Sequence, residues 1–123
     1  MGRRRLRGGA AVAVIGVAFA AAPAAASAHA ELLRTSPRKN ATVSDSLRAV
    51  RLTFSQQILG GSVRVIDPRD RNVATSSGRD PRNVTRLRAV LSRSLRSGRY
   101  MVRWTVRAAD GHTQRGSYRF RIR

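Results

Sequence analysis

The chain contains no cysteine. That excludes disulfide staples, thiol nucleophiles and zinc-thiolate sites, so a hydrophobic core must hold the fold together unaided. Acidic residues are scarce, 6 against 25 Lys and Arg, for a formal net charge of +19. Aromatic residues are few as well, with one Trp, two Tyr and three Phe. Once a core has taken its share, nothing remains for a base-stacking platform. No nucleophile motif is present, and scattered Ser and Asp residues around a single internal His do not make a hydrolytic triad. Only one long apolar run occurs, and it lies near the start.

That run is bounded in a particular way. "RRRLR" (Arg3 to Arg7) precedes it, it consists mainly of Ala, Val, Gly and Ile, and Ala26-Ser27-Ala28 ends it, matching the charged, apolar and small-residue regions of an export signal. Cleavage is expected after Ala28. A membrane anchor fits less well, because the densest apolar part, residues 10–22, is shorter than the ~20 residues a spanning helix needs and Pro23 interrupts its continuation. The paired arginines leave twin-arginine export open beside the general route. The expected organisation is a cleaved signal at 1–28 and one mature domain at 29–123. Removing 28 of 123 residues leaves 95, enough for a single core. The chain stops at "YRFRIR" with no second apolar segment, so the mature domain is expected in the periplasmic, extracellular or cell-wall space, untethered and monomeric.

Alternation dominates the remainder. Tyr100, Val102, Trp104 and Val106 alternate with Met101, Arg103, Thr105 and Arg107, and Tyr118, Phe120 and Ile122 alternate with Arg119, Arg121 and Arg123. A period of two is a strand with one buried and one wet face. Val50, Leu52 and Phe54, then Val63 and Val65, then Leu87, Ala89 and Leu91 repeat the pattern. Turn residues fall between them at Ser36-Pro37 to Asn40, Leu59-Gly60-Gly61, Asp67-Pro68 to Asn72, Ser76-Ser77-Gly78 to Pro81, and Ser97-Gly98. About seven short strands with no helical period predict an all-β Greek-key sandwich or small barrel of immunoglobulin-like type.

Four basic residues lie in the signal, so the other 21 against all 6 acids leave the mature domain at +15. Such a charge suits a polyanionic partner. The basic residues are nevertheless spread over many strands, where their long stems cover apolar surface on wet faces. Weak, salt-sensitive polyanion contact is expected, without specific nucleic-acid recognition.

The chemistry concentrates in "RAADGHTQRGSYRF". Asp110 and His112 fall between two core strands, and positions i and i+2 of an extended chain face the same way. The only other histidine is His29, which the expected cleavage makes the first residue. Its α-amine and imidazole can then chelate one ion together. Adding the His112 imidazole and the Asp110 carboxylate gives an N3O set, which favours Cu(II) over tetrahedral Zn(II) or oxygen-bound Ca(II).

On these residues the chain resembles the CopC family of exported copper-binding domains. "SAHAELLRTSP" is similar to the family's mature start, "VRLTFSQQI" to an early strand segment, and "YMVRWTVRAADGHTQRGSYRF" to its closing signature. The resemblance implies a Greek-key β-sandwich, one Cu(II) ion on His29, Asp110 and His112, and Trp104 in the core beneath the site. It also implies a copper buffer or carrier rather than an enzyme, partnered by a CopD-like membrane transporter. Two departures stand out. Gln56 occupies a position where many members carry an acid, and an amide is a poor Cu(II) ligand. Met101 is the one methionine of the mature domain, so the soft thioether set that holds Cu(I) in some members is missing.

Two other classes compete. A terminal histidine with a second histidine is also the copper arrangement of oxidative polysaccharide-cleaving enzymes, but those present exposed aromatics, whereas Trp104, Tyr100, Tyr118, Phe54 and Phe120 here all fit core positions. A polyanion-binding module would use the arginine faces and need no metal.

The intact mass of the exported protein tests the first step. It should correspond to a chain starting at His29; a start elsewhere removes the amine from the ligand set.

Overall fold

A computed structural model describes residues 2, 8–17 and 29–123. The Arg3–Arg7 cluster and the Ala26-Ser27-Ala28 cleavage motif lie outside the described residues. Among the described residues no helix is long and apolar enough to cross a membrane.

Alternating side chains become strands, and there are eight. They are β1 (Leu32–Ser36), β2 (Thr42–Val43), β3 (Ala49–Phe54), β4 (Ile58–Ile66), β5 (Ala74–Arg79), β6 (Arg86–Leu91), β7 (Gly98–Ala108) and β8 (Thr113–Ile122). Two four-stranded sheets result, ordered β1-β3-β6-β5 and β2-β8-β7-β4. The chain crosses from one sheet to the other after β1, β2, β3, β4 and β6, giving the expected Greek-key β-sandwich. Only the short β2 runs parallel to its neighbour, β8.

The inward faces are those the alternation marks. Val50, Leu52 and Phe54 of β3 meet Leu87, Ala89 and Leu91 of β6 on one side, and Tyr100, Val102 and Val106 with Tyr118, Phe120 and Ile122 on the other, all buried. The Tyr100 and Phe120 rings stack with centroids 5.3 Å apart, and the Tyr100 hydroxyl donates to the Arg96 carbonyl at 2.7 Å. Trp104 is only partly buried. It sits opposite Gly116, where any Cβ would run into the indole, and it meets Phe54 edge-on at 5.4 Å.

Two segments read as turns are strand. Gly60 and Gly61 lie within β4, where a Cβ on Gly61 would run into the Thr105 carbonyl oxygen of β7. The glycine there permits close approach of two strands rather than a reversal. Ser76-Ser77-Gly78 lies within β5, which is mostly exposed and too polar to show an apolar period. Long-range bonds order it instead. The Ser77 hydroxyl accepts the Val63 N–H at 3.1 Å, and the Arg79 guanidinium donates to the Ile58 carbonyl at 3.2 Å, joining the two sheets along the β4/β5 edges.

Two aspartates are buried, Asp67 at 5% exposure and Asp80 at 8%. Each closes a turn. Asp67 Oδ1 accepts the N–H groups of Arg69 and Arg71, both at 2.9 Å, and Oδ2 lies 3.5 Å from Arg71 Nε. Burial pushes the Asp67 pKa up, but the backbone N–H groups of Arg71 and Arg69 and then the Arg71 guanidinium outweigh it, and the carboxyl is held below its ordinary value. A depressed folded pKa stabilises the fold above the unfolded value of ~3.9, and that contribution is lost as pH falls through the folded value.

Asp67→Ala, which strands two N–H donors, should cost about 1–3 kcal/mol at neutral pH. Asp67→Asn should cost less, because its amide oxygen still accepts. Denaturant unfolding should show the gap between wild type and Asp67→Ala narrowing below ~pH 4; a gap independent of pH would show that the ionised carboxylate contributes nothing.

Candidate metal centre

The site is assembled from two ends of the domain that meet at one rim of the sandwich. The N-terminal segment is tied down immediately after His29. Ala30 is 1% exposed, and its N–H donates to Gln114 Oε1 at 3.1 Å. The Glu31 N–H donates to the Ser55 hydroxyl at 2.9 Å, and the Ser55 N–H returns to the Glu31 carbonyl at 2.8 Å. Leu32 then pairs with Phe54 at the start of β1. With its next three residues fixed, His29 has little freedom to leave the rim.

The other contribution is the β7–β8 turn. The Ala108 N–H donates to the His112 carbonyl and the Gly111 N–H to the Ala108 carbonyl, both at 2.9 Å. This leaves a three-residue loop, residues 109–111, whose last position has φ +88 and therefore favours glycine. Asp110 Oδ1 accepts the His112 N–H at 2.9 Å, and Oδ2 lies 2.7 Å from His112 Nδ1. Asp110 and His112 were expected to point the same way along an extended chain; instead they bond one another. Strand alternation does not operate across these residues; a tight turn locked by the aspartate side chain does.

The three expected residues come together. His29 Nδ1 is 3.9 Å from Asp110 Oδ2, the imidazole centroids are 5.4 Å apart at 43°, and one ligand atom from each of the three residues lies within 4.8 Å of the others. Around an ion with bonds of about 2 Å, adjacent ligands sit ~3 Å apart and opposite ones ~4 Å apart, so the exposed side chains need draw in by only about 1 Å to share a single ion. The hydrogen bond from the His112 ring, followed by that from the His112 N–H, holds the Asp110 carboxyl below the usual carboxylate range. Slight desolvation opposes this, and the charges of His112 and His29 add to it. An ionised carboxylate therefore stands between two imidazoles. It can meet a cation directly, or keep the His112 ring oriented for one.

Gln56 is exposed in the β3–β4 connection, directly after Ser55. Two contributors escape sequence reasoning. Gln114 and Ser55 bond the backbone of the N-terminal segment across separations of 84 and 24 residues. The only local signal for Gln114 is its place two residues beyond His112.

The domain is a two-sheet β-sandwich with a histidine–carboxylate group at the turn of its longest hairpin. Residues 32–123 match the CopC domain, and the chain belongs to the CopC family. His29 lies just before the matched range. The chain is 32% identical over 99 residues to Protein YobA of Escherichia coli (strain K12), covering 78% of this chain and 80% of YobA. Among solved structures it resembles CopC from Methylosinus trichosporium OB3b, with a TM-score of 0.68 and 25% identity over 76% of this chain and 93% of that one. It also shares its fold with PcoC, a methionine-rich copper resistance protein from Escherichia coli, with a TM-score of 0.64 and 20% identity over 77% of this chain and 99% of that one.

Gln114→Ala removes the acceptor for the Ala30 N–H. Amide hydrogen exchange at Ala30 should speed up by about tenfold, with the core amides of β7 and β8 unchanged. Unchanged exchange at Ala30 would show that Gln114 does not anchor the segment.

Proposed function

We propose that the exported protein begins at His29 and binds one Cu(II) ion through the His29 amine and imidazole, the His112 imidazole and the Asp110 carboxylate. The observation that carries this reading is the convergence of both histidines of the chain on one carboxylate at an exposed rim. Family membership supports a copper-related role, and copper resistance is the described property of PcoC. The donor chemistry supports the cupric state, since amine, imidazole and carboxylate suit tetragonal Cu(II).

Cu(I) is the weaker fit. PcoC is methionine-rich, whereas this chain has Met1 and Met101 alone. Met101 lies on β7 opposite Ile66 and Arg119, with its sulfur 3.3 Å from Arg103 Nε.

Open access also bears on the role. The His29 and His112 side chains are 52% and 71% exposed, so a bound ion can be passed on by ligand exchange. That supports a buffer or carrier delivering copper to a membrane transporter of CopD type, or withholding it from sensitive targets. A copper oxidase is less well supported. The exposed large apolar residues of the domain are Leu33, Leu59 and Val84, with no aromatic to grip a polymeric substrate.

A Cu(II) competition titration against a chelator of known strength tests the proposal. His112→Ala, and a variant with one extra residue before His29, should each weaken binding by orders of magnitude. Asp110→Asn should cost about 10- to 100-fold. Wild-type affinity in all three altered proteins would mean that this site does not hold copper.

A further inference from the structure

We propose that the outer face of the β4–β7–β8 sheet is a docking track for a linear phosphate-bearing polyanion. The register places the arginines of three strands in consecutive rows on this one face. Arg99 pairs with Arg121, with Thr42 beyond it, and Met101 pairs with Arg119. Arg103 lies between Arg64 and Ser117, Thr105 lies between Ser62 and Arg115, and Arg107 pairs with Thr113. All seven arginines are exposed. Every row supplies a guanidinium, and four of the five supply a hydroxyl. Same-face residues repeat every ~6.7 Å along a strand, so five rows make a cationic ladder about 27 Å long. Charge that looks dispersed along the sequence is gathered by the pairing.

The arrangement has a cost within the isolated domain. Arg64 faces Arg103 and Arg99 faces Arg121 directly across strands, and opposed like charges destabilise a sheet. Among the described residues, the ion pairs involve Arg71, Arg86 and the two histidines, and none of the seven ladder arginines. Asp67 and Asp70 line one hollow, but Asp67 is already engaged by Arg71, and Asp110, in the turn beyond the Arg107 row, is engaged by the two histidines. A bound polyanion would relieve this repulsion.

The relief of the surface favours a chain over a flat bilayer. Three hollows of about 300, 340 and 400 Å³ follow one another along the face. The first and second share Arg99 and Arg119, and the second and third share Arg103, so they form one trough. Guanidinium forks match phosphate oxygens bidentately. The aromatic residues that border the hollows are the buried Tyr100 and Phe120 and the half-buried Trp104, whose indole is engaged by Gly116 and Phe54, so recognition would be of backbone phosphates and not of stacked bases. The Arg107–Thr113 row adjoins the turn that carries Asp110 and His112, and the track stands whether or not copper binds there.

The test is binding of long-chain inorganic polyphosphate to the exported protein near physiological salt. Arg99→Gln/Arg103→Gln/Arg119→Gln is compared with Arg34→Gln/Arg38→Gln/Arg51→Gln, which removes the same charge from a separate hollow formed by β1, β3 and the connection after β1. The first triple variant should lose about tenfold or more in affinity, and the slope of log affinity against log salt should fall by about 2. The second should stay within about twofold, with its slope unchanged. Polyphosphate should also protect the β7 and β8 arginines of the unaltered protein from an arginine-specific reagent, a readout that needs no variant. Equal losses in the two triples would reduce the effect to net charge and overturn the track. Tighter binding to vesicles rich in anionic phospholipid than to polyphosphate would overturn it in favour of a membrane surface.

Discussion

The rest of the molecule depends on the pairing of β7 with β8. Ten residues of each strand are matched without interruption, from Gly98 opposite Ile122 to Arg107 opposite Thr113. One register determines three surfaces. Its inner face supplies Tyr100, Val102, Val106, Tyr118, Phe120 and Ile122 to the core, its outer face carries the arginine rows, and its closed end is the turn that holds Asp110 and His112. A slip of one residue would exchange inside for outside. Trp104 guards against that slip, because the indole fits only over Gly116, and the neighbours Arg115 and Ser117 would collide with it.

A domain without disulfides must make its two sheets one unit by other means. Packing of the two inner faces is the main one. The β4/β5 edge adds backbone bonds closed by Ser77 and Asn72, whose side-chain oxygen accepts the Val65 N–H at 3.0 Å. Buried aspartates fix two of the turns. Against this stands the repulsion among many arginines, few of them paired. The candidate metal centre sits at the margin of the core: among the described residues Ala30 is the first that is buried in it, so His29 is held by the core while remaining outside it.

Much of this was legible from residue order. Alternation identified the inward residues of β3, β6, β7 and β8 because each of those strands has one apolar and one polar face. It missed β5, whose Ala74–Arg79 segment carries no apolar period and is ordered by partners distant in sequence. It also took Gly60-Gly61 for a reversal, since glycine marks a turn and a close strand approach alike. For the site, the scarcity of histidine did the work, as two histidines and one nearby carboxylate left few ways to build a ligand set. The turn geometry that joins Asp110 to His112 was not legible, nor were the bonds from Gln114 and Ser55, because these are tertiary contacts. Trp104 was expected in the core and lies at its margin, since periodicity gives the face of a strand but not the depth.

The central claim is that the anchored N-terminus and the β7–β8 turn hold one ion between them. A crystal of the protein beginning at His29, grown with one equivalent of Cu(II), with diffraction recorded at the copper absorption edge, addresses it directly. The account predicts a single anomalous peak within about 2 Å of a ring nitrogen of both His29 and His112. A peak bound by only one of these histidines, or lying elsewhere on the domain, would contradict it.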